Sequence, residues 1–350
     1  MKMNFPRPIR PGDTLALVAP SFGATIEPYI TRLASAIRRL EERGYRIKAY
    51  PSTYKSDGIG ISTDPAAAAK DLTDAWLDPD VAAVLSVGGG ELMCETMSHV
   101  DLDALAAAPP KWYMGYSDNT NFLFPMAIRG VPGIYGPCAT GLGKVWEGTE
   151  TDALALLEGT KTAFAGYPLY EAPEDGDARG AEDPVGPFRL TQKKVLRTFV
   201  PKDGALTETS EEVRLSGALL GGCLDVVILQ IGTKADRTRE FLRENGPVIW
   251  ILEACDLNVF QIRRALWQLR EAGWFDTAAG FLIGRPLAAL GQVFGVLDEY
   301  RAATDILAPL GVPVVFGCDF GHVPPMLPFV MGAEAEAAVR GNALELIYKT

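Results

Sequence analysis

From Thr14 to Ile128, short apolar runs alternate with segments of helical period, and few folds can satisfy that order. Thr14–Pro20 (TLALVAP) is a continuous apolar run of strand length, ended by Ser21, Phe22 and Gly23. The stretch from about Glu27 to Arg43 then carries Ile30, Leu33, Ile37 and Leu40 on one helical face, with Gly44 where a C-terminal cap belongs. The pattern continues with a strand at Tyr45–Tyr50, a helix at about Pro65–Leu77, strands at Val81–Val87 and Trp112–Tyr116, and a helix from about Asn119 to Ile128. Strands separated by helices pair in parallel through right-handed crossovers, so a doubly wound sheet is expected. Ligands of such sheets bind beyond the carboxyl ends of the strands, and Gly88 and Ser117 both fall at such ends.

The rhythm stops near residue 165. From about Tyr167 to Val213, stretches such as EAPEDGDARGAEDPVGP have no sustained period, and a long irregular segment in a compact protein is disordered or part of a binding site. A second unit follows: a strand-like run at Leu215–Leu220, a strand at Val248–Leu252 and a helix at about Asn258–Ala272. After these come a strand at Phe281–Gly284, a helix at about Val293–Thr304, a strand at Val312–Phe316 and a hairpin over Ala333–Tyr348 turning at Gly341-Asn342. The expected division is an α/β domain over 1–165, a linker or substrate loop over 166–213 and a further domain over 214–350, in keeping with a length of 350 residues.

Composition narrows the function. With 33 basic against 44 acidic residues the net charge is −11, which disfavours nucleic acid and anionic membrane surfaces as partners while leaving room for a small substrate. Cys94, Cys138, Cys223, Cys255 and Cys318 form no C-x-x-C pair, as expected of reduced thiols in a cytoplasmic protein. The N-terminal stretch is interrupted by Pro6, Pro8 and Pro11 and has no apolar core of signal-peptide length.

Only two histidines are present to serve as a neutral-pH base. His99 sits near the end of an expected helix and reads as a surface or capping residue. His322 lies past a strand in CDFGHVPPM, between Gly321 and Pro324-Pro325, residues that fix a loop and so aim a side chain. Ser117, in KWYMGYSDNT, ends a short strand at the start of a helix, where backbone N–H groups can stabilise an oxyanion. Its G-x-S-D pattern is only a partial nucleophile elbow and also fits a helix N-cap serine. Gly88, Gly89 and Gly90 allow close approach of a substrate to the backbone and can donate an oxyanion N–H; the G-x-G-x-x-G and Gly-Lys-Ser/Thr fingerprints of nucleotide binders are missing. Glu253 ends the apolar strand VIWILE, a position too costly for a carboxylate without a partner such as an imidazole. Asp256 is the rival, better placed to cap the following helix, and strand alternation aims Asp319 elsewhere. Two distant histidines make no zinc site, so no metal is expected.

Taken in order, GGG, GYSD, GALLGGCL, LEACD and DFGH with its following proline resemble the LD-carboxypeptidase family, which includes murein tetrapeptide carboxypeptidases and microcin C immunity peptidases. The resemblance runs from IRPGDTLALVAPS through LPFVMGAEAEA to the final hairpin. It implies a flavodoxin-like (class I glutamine amidotransferase-like) N-terminal domain, a smaller β-rich C-terminal domain, a homodimer and a Ser–Glu–His triad with no cofactor. On this chain that triad is Ser117 as nucleophile, His322 as base and Glu253 as orienting acid, with the N–H groups of Asp118 and Gly89 as oxyanion donors. The implied substrate is a small peptide or peptidyl-nucleotide. Two departures stand out. Family members commonly read GGN where this chain has Cys223 at a position that contacts substrate. The immunity peptidases carry a tryptophan-bearing loop that stacks on adenine, whereas Tyr167–Thr207 holds no tryptophan and leaves Phe188 and Tyr170 as substitutes. Chain length and the long excursion favour the immunity-peptidase branch, and the missing tryptophan points the other way. A non-catalytic α/β module binding a small ligand at Gly88–Gly90 is the alternative of another class, and would not require Ser117, Glu253 and His322 to converge. A cysteine-dependent amidotransferase is disfavoured because the elbow holds Ser117.

Overall fold

In a computed structural model of the chain, residues 2–174 and 182–349 are described; most of the acidic EDGDARGA stretch lies outside them. The first sheet is built from β1 (Thr14–Val18), β2 (Arg46–Ala49), β3 (Val81–Ser86), β4 (Trp112–Gly115) and β5 (Gly133–Tyr135). These five pair in parallel in the spatial order 2-1-3-4-5, the flavodoxin-like winding. Central strands buried on both faces explain the unbroken apolar runs, with Leu15, Ala16, Leu17 and Val18 all fully buried. The crossover helices follow from their sequence. Tyr29–Glu42 turns Leu33, Ala36 and Leu40 inward and is followed by Gly44 at φ +88°. Pro65–Leu77 starts with proline at its first position and Asp64 capping the Ala67 N–H.

Downstream come β6 (Ala163–Ala165), β7 (Leu169–Glu171), β8 (Leu190–Lys193), β9 (Arg197–Lys202), β10 (Ala205–Thr209), β11 (Val213–Cys223), β12 (Val248–Glu253) and β13 (Ala278–Gly284). The chain ends with β14 (Val293–Phe294), β15 (Leu297–Asp298), β16 (Val314–Cys318), β17 (Phe329–Met331), β18 (Glu334–Arg340) and β19 (Ala343–Tyr348). The second sheet runs β10-β9-β16-β13-β12-β11-β18-β19-β6, with β11, β12, β13 and β16 parallel at its centre.

Three expectations need correction. The segment over 166–213 is not structureless: β7 and β8 pair with each other, and β9 and β10 extend the second sheet. The sheets also do not divide at residue 165. β6 lies on the edge of the second sheet against β19, while β17 returns to the first sheet against β5. Gly332, at φ +91°, turns the chain between β17 and β18 and so joins the two sheets covalently at one corner. The helix expected from Val293 begins only at Glu299, capped by Asp298, because Gly295 at φ +62° folds the preceding residues into a small hairpin. The final hairpin turns at Gly341 as expected.

Candidate active site

Ser117 sits where β4 passes into a single 3-10 turn and then the helix Thr120–Ala127. Its φ is +61°, a left-handed conformation that a serine adopts only under constraint. The constraint comes from its neighbours. Asn119 donates to the carbonyls of Gly88 and Tyr116, both at 3.0 Å. The buried Asp118 carboxylate accepts from Ser21 Oγ (2.5 Å), the Met93 N–H (2.9 Å) and Asn121 (2.7 Å). Thus the elbow, the β1 end and the loop after β3 are tied together. Burial raises the Asp118 pKa despite those bonds. Gly89 is the close neighbour: a Cβ there would lie 3.1 Å from Ser117 Cβ and 3.4 Å from its Oγ.

Glu253 and His322 come from the second sheet. Glu253 is the last residue of β12, and His322 follows the end of β16 on a loop whose Gly321 stands at φ +96°. A Cβ at Gly321 would collide with the Glu253 carboxylate. His322 Nδ1 is 2.9 Å from Glu253 Oε2, and Nε2 is 2.9 Å from Ser117 Oγ. Burial alone would raise the pKa of Glu253, but the imidazole charge and hydrogen bonds from His322, Tyr135 and Cys223 outweigh it and hold it low. Burial likewise opposes the cationic form of His322, yet the Glu253 charge and the Cys255 and Glu253 contacts raise its pKa well above the ordinary histidine value.

Tyr135 was not singled out from sequence. At the end of β5 its hydroxyl donates to Glu253 Oε1 at 2.5 Å and accepts the Ser117 N–H at 3.0 Å, so one side chain bridges nucleophile and acid. Its sequence, PGIYGPC, reads as core, and only its register opposite Gly115 reveals the role. Tyr116 packs its ring 5.1 Å from the imidazole, and Cys255 lines the cleft beside it.

Ser117 and His322 lie on the wall of a cleft of about 600 Å3, with Glu253 buried behind the imidazole; the cleft is lined also by Gly88, Gly89, Gly90, Glu91, Lys144, Glu150 and Phe188. Glu150 is buried there and its pKa is pushed up to about 7. Cys223 is not on the cleft wall. It stands opposite Glu253 in the β11–β12 register, buried, with its thiol 3.4 Å from Asp225 Oδ2. Tyr170 is also elsewhere, stacked on Arg285 with 4.6 Å between ring centroid and guanidinium. Asp256 does not cap the next helix; Asn258 does, in a capping box with Gln261. Asp319 is aimed away from the site, as expected, into ion pairs with Lys194 (2.6 Å) and Arg285 (2.8 Å). His99 is exposed, outside the cleft. Among the described residues no cluster of His, Cys, Asp and Glu could hold a metal ion, and no helix is long and apolar enough to cross a membrane.

A hydroxyl on a strained turn, an imidazole on that hydroxyl and a buried carboxylate on the imidazole make the constellation of a serine hydrolase. Comparisons with known proteins agree. Residues 15–136 match the model of the LD-carboxypeptidase N-terminal domain and residues 216–337 that of the LD-carboxypeptidase C-terminal domain. The chain belongs to the LD-carboxypeptidase family and is a serine-type hydrolase. A putative carboxypeptidase of Streptomyces coelicolor is 28% identical over 97% of this chain and 95% of its own. The microcin C7 self-immunity protein of Escherichia coli is 23% identical over 93% and 91%, and the murein tetrapeptide carboxypeptidase of Pseudomonas aeruginosa 28% over 68% of each chain. Among solved structures, an immunity-protein-like protein from Bacillus anthracis superposes with a TM-score of 0.80 at 19% identity, covering 99% of both chains. The microcin C7 self-immunity protein in complex with glutamyl sulfamoyl guanosine gives 0.79 at 20% identity over 99% of both.

Proposed function

We propose that this protein hydrolyses an amide bond of a small peptidyl or aminoacyl conjugate, with Ser117 as nucleophile, His322 as general base and Glu253 as the acid that orients it. The observation that carries the reading is the unbroken line from Ser117 Oγ through His322 to the buried Glu253, two contacts of 2.9 Å that begin at the wall of the cleft. His322 removes the Ser117 proton as Oγ attacks the carbonyl carbon, then delivers it to the departing amine. Water, deprotonated by the same imidazole, releases the acid and restores the serine. The N–H groups of Asp118 and Gly89 are the proposed oxyanion donors, supported by the close approach of Gly89 to Oγ. Gly88 and Gly90 border the same cleft and leave room for the substrate backbone.

For the substrate, an immunity-peptidase-like conjugate is supported by Phe188, which lines the cleft and offers it an aromatic surface. The Lys144 ammonium lies 4.1 Å from that ring centroid, which suits a planar, anionic or phosphate-bearing group nearby. A murein tetrapeptide is the second reading, since Phe188 is smaller than tryptophan. The test is hydrolysis of an aminoacyl sulfamoyl adenosine and of an LD-linked murein tetrapeptide by the wild-type protein and by Ser117→Ala. The expected result is turnover of the first substrate, reduced about 10⁶-fold in the variant. Turnover of the tetrapeptide alone reassigns the substrate, and activity retained by Ser117→Ala removes Ser117 as nucleophile. The proposed assembly is a cytoplasmic homodimer; sedimentation at the 37.7 kDa of one chain would refute its oligomeric part.

A further inference from the structure

A second cavity, of about 140 Å3, lies behind Glu253 on the side away from the cleft. It sits beyond the carboxyl ends of four parallel strands, bounded by Leu224 after β11, Leu252 at the end of β12, Ile283 at the end of β13 and Phe316 in β16. That is where open α/β sheets bind ligands. Its floor is apolar, formed by Ile262, Leu266 and Ala303 from the covering helices, and its volume is close to that of an apolar cavity that admits benzene, about 150 Å3.

One corner is basic. Arg285 is only 4% exposed, and its terminal nitrogens are used: Nη1 donates to Asp319 Oδ1 (2.8 Å) and the Gly317 carbonyl (3.0 Å), Nη2 to the Val323 carbonyl (3.2 Å). Its Nε–H has no partner among the described residues. An orphaned buried guanidinium N–H is expensive and calls for an acceptor. Asp319 is shared between Arg285 and Lys194, so those three groups together carry a net positive charge. Lys193 adds a further cation at the cavity mouth. The carboxylates that line the cavity are committed: Glu253 to His322 and Tyr135, Glu299 to the Gly291 N–H at 2.6 Å.

We propose that this cavity binds a small monocarboxylate with a short branched or cyclic apolar body, its carboxylate accepting from Arg285 Nε and its body packed against Ile262, Leu266 and Ala303. The site is separate from the proposed catalytic cleft and does not depend on the catalytic reading.

The test uses methyl-labelled isoleucine NMR on the full chain, because Ile262 and Ile283 line this cavity whereas Ile26 lines the cleft. Titration with 4-methylpentanoate is expected to shift the Ile262 and Ile283 methyl signals and leave Ile26 in place. The uncharged 4-methylpentan-1-ol, with the same skeleton, should bind on the order of tenfold more weakly or worse, the loss of a charge-assisted hydrogen bond. Arg285→Lys, which keeps the charge and removes the Nε–H, should weaken the acid by a similar factor. Ala303→Leu, which fills the floor without touching the ion pairs, should abolish the shifts even where Arg285→Lys does not fold. Shifts confined to Ile26, equal binding of acid and alcohol, unchanged binding in Ala303→Leu, or no shift at all would overturn the proposal.

Discussion

The two halves of the candidate site are assembled by different physics. On the first sheet, Ser117 is positioned by backbone shape: a residue at φ +61°, a glycine close against its side chain, and a turn stapled by Asn119 and Asp118. On the second sheet, Glu253 and His322 are positioned by charge: a buried carboxylate held low by its imidazole, and next to it a second buried cluster in which Asp319 serves Lys194 and Arg285. Steric positioning is stiff and cheap, so an error there displaces the reacting atom with little loss of stability. Electrostatic positioning is costly, so an error there leaves an uncompensated charge. Tyr135 is the joint, since its hydroxyl touches both halves.

That contrast can be broken by mutation. Among substitutions that leave the nucleophile in place, Glu253→Gln should have the largest effect, lowering kcat about 10⁴-fold because the amide no longer fixes the imidazole tautomer. It should also move the pH profile. The base form of His322 is the active one, so activity falls as pH drops through its pKa, which the Glu253 charge raises. Removing that charge lowers the pKa, and the acid limb of kcat/KM should shift to lower pH. An acid limb that stays in place would show that Glu253 does not act on the base. Asp319→Ala should cost about 3–5 kcal/mol of stability in urea titration, by leaving two buried cations with no carboxylate between them. A loss under about 1 kcal/mol would mean the cluster relaxes into solvent. Gly89→Ala should do the reverse. Its added methyl displaces Ser117 or blocks the oxyanion position, lowering kcat about 10²–10³-fold with the midpoint of unfolding nearly unchanged.

The same contrast explains what could be read from the sequence. Ser117, Glu253 and His322 were legible because each breaks a local rule: a serine at a strand end after glycine, a carboxylate closing an apolar strand, a histidine between glycine and proline. The central strands β1 and β3 of the first sheet were legible because burial on both faces writes an uninterrupted apolar run, whereas the three-residue β5 was too short to stand out. β9 and β10 were not legible, since the edge runs Arg197–Lys202 and Ala205–Thr209 mix charge, proline and threonine and gain their order only by pairing with β16 and with each other. β17 joins the first sheet from nearly 200 residues away, a pairing no local pattern encodes. Tyr135 obeys every local rule of a core residue, and its bridge exists only once β4 and β5 are in register. The placement of Cys223 was not legible either: Gly221 and Gly222 stand at φ +140° and +112° at the end of β11, and the buried Cys223 falls opposite Glu253 only through the β11–β12 register.

The central claim, that Ser117 is activated by His322, is tested most directly by covalent labelling with a fluorophosphonate and peptide mass spectrometry. The account predicts one adduct, on Ser117, formed by the wild-type protein and lost in His322→Ala. An adduct on another residue, or labelling of Ser117 that proceeds equally well without His322, would contradict it.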